Sequence, residues 1–178
     1  MKEILEEYRI ERAKLEDEIQ EFLAQKFADF FRTYEPFANY HKYFNFYSIG
    51  TPSIESGITN PGTAPDAYKD QPVLKVNNFY GSTFGTSIHR LVVIKNYALM
   101  NQVLANSIPE YDMVVMIGNS TFYGGSGGSI AMFTLHSSSN LIGVHELGHS
   151  FSKLSDEYWA GPQYARENFN MSKESSPS

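Results

Sequence analysis

His145-Glu146-Leu147-Gly148-His149 restricts this chain more than any other stretch, because two imidazoles four residues apart become neighbours only if the segment is helical. On a helix, residues i and i+4 sit one above the other with Cβ atoms roughly 5–6 Å apart, close enough for both rings to reach one ion. The fold must therefore present one face of this helix to a cleft and bury the rest in a core.

Each position of the stretch has a chemical reason. Two neutral imidazole nitrogens supply half of a tetrahedral zinc shell, and an open position holds water whose pKa the metal lowers to about 7. Glu146 follows His145 directly, so it projects to the neighbouring edge of the same face, where a carboxylate takes a proton from that water and later hands it to a leaving amine. The competing reading is two surface histidines and a solvated acid. With five histidines in 178 residues, the coincidence of two in this register around a glutamate weighs against it. There is no cysteine, so disulfides and thiolate zinc sites are excluded and any metal must be held by His, Asp or Glu.

A zinc site that performs hydrolysis uses three protein ligands. In the metzincin pattern H-E-x-x-H-x-x-G-x-x-H the third ligand falls six residues beyond the second histidine. That position is Ser155 here, and the turn glycine is replaced by Ser152. Asp156 lies one residue further on and is the expected third ligand, with Glu157 as the alternative. Whichever acid is not a ligand is expected to accept a hydrogen bond from an imidazole N–H. Tyr158 is a candidate donor to the oxyanion formed on an attacked carbonyl; the same residue also reads as a core tyrosine.

The 42% hydrophobic content is enough for one genuine core, and the formal charge of −6 with scattered Lys and Arg offers no basic field for nucleic acid. The acidic start Met1-Lys2-Glu3-Ile4 is not a secretory signal, and no apolar run reaches membrane-spanning length. Residues 2–34 carry Ile4, Tyr8, Leu15, Ile19, Phe22, Leu23, Phe27 and Phe30 at helical spacing, predicting an N-terminal amphipathic helix over 1–34 that packs on a domain spanning 35–178. The aromatic run at 37–49 reads as a strand, and residues 50–72, rich in Gly, Pro and Ser, as a loop that either borders the cleft or merely connects. Arg90–Ile94 and Tyr111–Ile117 read as buried strands flanking a helix at 96–107, which predicts a crossover and a partly parallel sheet. The run Gly124-Gly125-Ser126-Gly127-Gly128 lacks the Lys-Ser/Thr ending of a phosphate loop and reads as a turn into an edge strand at 129–136, able to hold an extended peptide. His41, His89 and His136 read as structural. The expected class is α+β, a mixed sheet with an active-site helix.

Glu35-Pro36-Phe37, Tyr43-Phe44-Asn45-Phe46-Tyr47, the glycine run, and His145-Glu146-Leu147-Gly148-His149-Ser150-Phe151 followed by Asp156-Glu157-Tyr158 together resemble the IgA peptidase M64 family of bacterial zinc peptidases, over roughly residues 30–171. The resemblance implies a metzincin-like zinc endopeptidase, secreted or displayed at the cell surface, acting on protein or peptide. It also implies His145 and His149 as Zn2+ ligands, an acid from Asp156-Glu157 as the third, and Glu146 as general base. Met171 is the only methionine downstream of the motif, so the C-terminal part, including any methionine turn beneath the metal, is expected to be abbreviated. Two other functions fit the same residues: a non-catalytic, metal-containing surface-binding module, and a metal amidase acting on a small molecule or cell-wall peptide. The sequence assigns no oligomeric state.

Overall fold

A computed structural model of the chain describes residues 2–158 and 167–172. Helix α1 (Lys2–Thr33) is followed by strands β1 (Thr83–Phe84) and β2 (Val92–Val93), helix α2 (Tyr97–Ser107), strands β3 (Val115–Gly118), β4 (Gly125–Ser126) and β5 (Ala131–Thr134), and helix α3 (Ser139–Ser152). Helices and mixed sheet give the expected α+β class.

β5 pairs in parallel with β3 and antiparallel with β4, and β1 pairs antiparallel with β2. A parallel bridge between Leu91 and Gly125 joins the two sheets at β4. Side chains on β5 alternate between two cores, as the period of two requires. Ala131 and Phe133 face Phe27 and Phe31 of α1 and Ile142, Val144 and Leu147 of α3. Ile130 and Met132 face Phe84, Val92, and Met100 and Leu104 of α2. The sheet is thus covered on one side by α1 and α3 and on the other by α2.

Three strand expectations are corrected. Residues 129–136 do not form an edge: β5 is the central strand, hydrogen-bonded on both sides and buried throughout, as its unbroken apolar run demands. The crossover through α2 does not join neighbouring parallel strands, because β4 and β5 lie between β2 and β3; the parallel pair is β3 with β5. The aromatic run at 37–49 is not a strand. It forms two short 3₁₀ turns, Phe37–Asn39 and His41–Tyr43, and then runs extended without a ladder. Its aromatic residues pack on other elements instead of on a partner strand: Phe37 and Phe44 lie 4.2 and 5.0 Å from the Phe31 ring, and Phe44 is 5.7 Å from Phe151 of α3. This aromatic cluster ties the end of α1 to the end of α3.

α1 ends at Thr33, before Pro36, and among its described side chains the buried ones lie in its last turns. Phe27, Ala28 and Phe31 are buried, whereas Ile4, Leu15, Ile19 and Phe22 are exposed. Close approach to α3 depends on Gly143, where a Cβ would stand 2.5 Å from the Phe27 ring and 2.7 Å from that of Phe133.

The 50–72 loop is anchored rather than loose. Asn60, almost fully buried, donates to the carbonyls of Gln71 and Pro72 and accepts from Gly62 N–H. Gln71 in turn pairs with Nε2 of His89 at 2.7 Å, and His89 is stacked on Phe84 at 4.9 Å with none of its surface exposed. Burial pushes this imidazole below its usual pKa, so it is a neutral core residue, as read from its isolation in the sequence.

Candidate metal centre

α3 buries Ile142, Val144 and Leu147 against the sheet, which turns His145 and His149 outward. The helix stops one turn after His149. Lys153 takes the left-handed conformation at φ 54°, the Leu154 N–H closes on the Gly148 carbonyl at 3.3 Å, and the chain doubles back across the helix end. Glycine is the usual residue at such a reversal; a lysine there accepts the steric penalty of its Cβ.

The reversal places Asp156 over the histidines. Its Oδ1 lies 3.0 Å from Nε2 of His145 and 3.3 Å from Nε2 of His149, and the two Nε2 atoms are 3.1 Å apart. Three ligand atoms around a tetrahedral zinc, each about 2.0–2.1 Å from it, are separated by about 3.3 Å. Asp156 Oδ1 is moreover buried without a hydrogen donor, an expensive state for a carboxylate oxygen unless a cation faces it. Nδ1 of His149 is 2.7 Å from the Leu154 carbonyl, which fixes a proton on Nδ1 and leaves the Nε2 lone pair free. Burial, and then the neighbouring His149, push His145 below the usual imidazole pKa against the pull of Asp156, so its ring is neutral at pH 7. The donor set therefore fits a divalent ion.

Among the described residues, His145, Glu146 and His149 form a group whose ligand-type atoms lie within 4.8 Å of one another. Glu146 is only 9% exposed, and burial raises its carboxyl to about pKa 7. A carboxyl poised near neutrality suits an acid–base role.

Glu157, the alternative third acid, is turned elsewhere: its Oε1 accepts from Asn170 Nδ2 at 3.3 Å. Asn170 also holds the main chain of Ser155 from both sides, by its Oδ1 from Ser155 N–H and by its Nδ2 to the Ser155 carbonyl, each at 2.8 Å, while Asn168 Nδ2 reaches Ser155 Oγ at 3.0 Å. These asparagines sit on the tight Asn168–Met171 turn, and nothing in their sequence context singled them out. Residues 159–166 and 173–178, the latter in the Ser-rich end, lie outside the described residues.

The glycine run serves close approach. A Cβ on Gly125 would stand 2.8 Å from Glu146 Oε1, and one on Gly127 would stand 2.5 Å from His149 Cβ. β4 therefore lies directly against the active face of α3, a purpose the sequence reading of a flexible turn missed. Arg90 was also missed. Its carbonyl accepts from Gly125 N–H at 2.9 Å, and its positive charge partly opposes the upward push of burial on the Glu146 carboxyl. The Tyr158 ring lies 6.5 Å from that of His145, and burial, followed by the neighbouring Asp156, pushes its hydroxyl above the usual phenol pKa.

An α+β core that presents a histidine–glutamate–histidine helix face, with a convergent aspartate, defines a site of the metallopeptidase class. The family model described as IgA Peptidase M64 matches residues 9–177, and the chain belongs to that family. Comparison with curated proteins returns no match.

Proposed function

We propose that this chain is a zinc-dependent endopeptidase in which His145, His149 and Asp156 hold the ion and Glu146 is the general base and acid. The observation that carries the proposal is the triangle of Nε2, Nε2 and Oδ1 atoms with sides of 3.0–3.3 Å, one corner of which has no hydrogen donor. Zinc bound there would supply Lewis acidity toward water and toward a substrate carbonyl oxygen. Glu146 takes a proton from the attacking water on its carboxylate and passes it to the departing amide nitrogen. The buried position of Glu146 under Gly125 keeps bulk water from competing for that proton. Tyr158, whose ring lies 6.5 Å from that of His145, is the candidate donor to the oxyanion.

The catalytic unit is assigned to residues 35–178, with the helix at 1–34 as an appended support, and a metzincin-like arrangement and secretion or surface display belong to the same proposal through the family resemblance. No helix among the described residues is long and apolar enough to cross a membrane. The family's name does not set the substrate of each member, so protein or peptide is the class assigned. Cleavage of casein and of a peptide library by zinc-loaded protein, its loss on chelation, and its loss in Glu146→Gln are the expected results. Zinc bound at full occupancy without cleavage of any substrate would favour the non-catalytic binding module instead.

A further inference from the structure

His145 and His149 are placed by α3, but Asp156 lies beyond the helix, so the loop backbone must set where its carboxylate stands. Ordering a loop costs conformational entropy, which partners for its main-chain groups have to offset. Both residues ahead of Asp156 have such partners. Leu154 is tied to α3: its N–H meets the Gly148 carbonyl at 3.3 Å, and its carbonyl meets Nδ1 of His149 at 2.7 Å. Ser155 is tied to a segment that follows the site in the chain. Asn170 Oδ1 accepts from the Ser155 N–H and Asn170 Nδ2 donates to the Ser155 carbonyl, each at 2.8 Å. A main-chain N–H only donates and a carbonyl only accepts, so the amide has one allowed orientation here; an ionised carboxylate in its place could satisfy the N–H alone. Asn170 Nδ2 also reaches Glu157 Oε1 at 3.3 Å, so one side chain holds the residues on either side of Asp156. Asn170 is carried on a turn closed by paired hydrogen bonds between Asn168 and Met171, at 3.0 and 3.1 Å. It is half-buried and belongs to neither hydrophobic core.

We propose that Asn170 is a positioning residue for the metal centre: by bracketing Asp156 through the main chain of Ser155 and the side chain of Glu157, it holds Oδ1 at 3.0 and 3.3 Å from the two imidazole nitrogens. This role rests on the assignment of Asp156 as a zinc ligand. Without Asn170 the loop keeps its tie to α3 at Leu154 but loses the one next to the ligand. Zinc must then order that stretch on binding, and the cost appears as lost affinity. Groups that orient metal ligands are worth about 10–100-fold in metal affinity.

Competition of the full chain with a chromogenic chelator measures Zn2+ affinity without any turnover. Asn170→Ala is expected to weaken binding by about 10–100-fold. Ser155→Ala, which keeps the main chain and loses only the hydroxyl, is expected to stay within about twofold of the parent. In an Asp156→Ala background the group to be positioned is gone, so adding Asn170→Ala is expected to change the remaining weak affinity by less than about twofold. Unchanged affinity in Asn170→Ala would overturn the proposal. So would an equal loss in the Asp156→Ala background, because Asn170 would then support the fold or the histidine helix and not the ligand. A loss in Ser155→Ala as large as that in Asn170→Ala would overturn it as well, by making the hydroxyl and not the main chain the point of attachment. If Asn170→Ala does not fold, Asn170→Ser, whose single hydroxyl cannot span the N–H and the carbonyl, decides by the same criteria. Failure of the parent chain to bind Zn2+, or affinity unaffected by Asp156→Ala, would instead sink the metal assignment itself, which separates the two claims.

Discussion

Replacing Glu146 by glutamine should stabilise the metal-free protein in a pH-dependent way. Glu146 is 9% exposed, and its carboxyl titrates at about 7 in the folded chain against 4.5 for the free group, chiefly because burial disfavours the charge. An acid whose folded pKa is raised binds more protons folded than unfolded between those values, so stability falls as pH rises from 4.5 to 7 and stays low above. The shift corresponds to roughly 3 kcal/mol at about 1.4 kcal/mol per unit. Glutamine keeps the shape and never ionises, so Glu146→Gln should gain roughly 2–3 kcal/mol over the parent at pH 8 and almost nothing at pH 4. For a domain of this size that is a rise in Tm of roughly 4–12 °C. Thermal unfolding of chelator-treated parent and variant from pH 4 to pH 8 measures it. Zinc should shrink the difference, since a nearby cation favours the carboxylate. Equal Tm values at pH 8 without metal would show that Glu146 is not held as an uncompensated buried acid, and the reasoning for its poised proton would fail.

Asp156→Asn should lose most of its bound zinc while Glu157→Gln keeps it, as read by elemental analysis after gel filtration, because only Asp156 stands within 3.3 Å of both imidazoles. Lys153→Gly should raise stability by about 0.5–1 kcal/mol by relieving the left-handed backbone at φ 54°, measurable by urea titration. Gly125→Ala should destabilise the fold by about 1–3 kcal/mol, because the new methyl meets Ile142 and Glu146. Phe27→Ala should cost about 3–5 kcal/mol, whereas Phe22→Ala, exposed on the same helix, should change stability by less than about 0.5 kcal/mol.

What the sequence made legible was local. The i, i+4 histidines and the following glutamate were readable because helical periodicity alone fixes their geometry, and α1, α2 and α3 follow from apolar spacing and breakers. Asp156 was reachable by counting past the motif. What failed depended on distant partners. The run at 37–49 has the composition of a strand, yet its rings find Phe31 and Phe151 rather than a ladder. A glycine run ahead of β5 suggests an edge strand, whereas those glycines let β4 touch Glu146 and His149. Arg90 lies far from the motif in sequence and reaches it only through the Leu91–Gly125 bridge, and Asn168 and Asn170 bind Ser155 across a turn of the chain; neither contact leaves a periodic trace.

The central claim is that His145, His149 and Asp156 hold one zinc ion. An anomalous difference map at the zinc absorption edge from crystals of the zinc-loaded protein tests it most directly. The account predicts one strong peak about 2.0–2.2 Å from Nε2 of His145, Nε2 of His149 and Oδ1 of Asp156. A peak ligated by Glu157 in place of Asp156, or no peak on this face of α3, would contradict it.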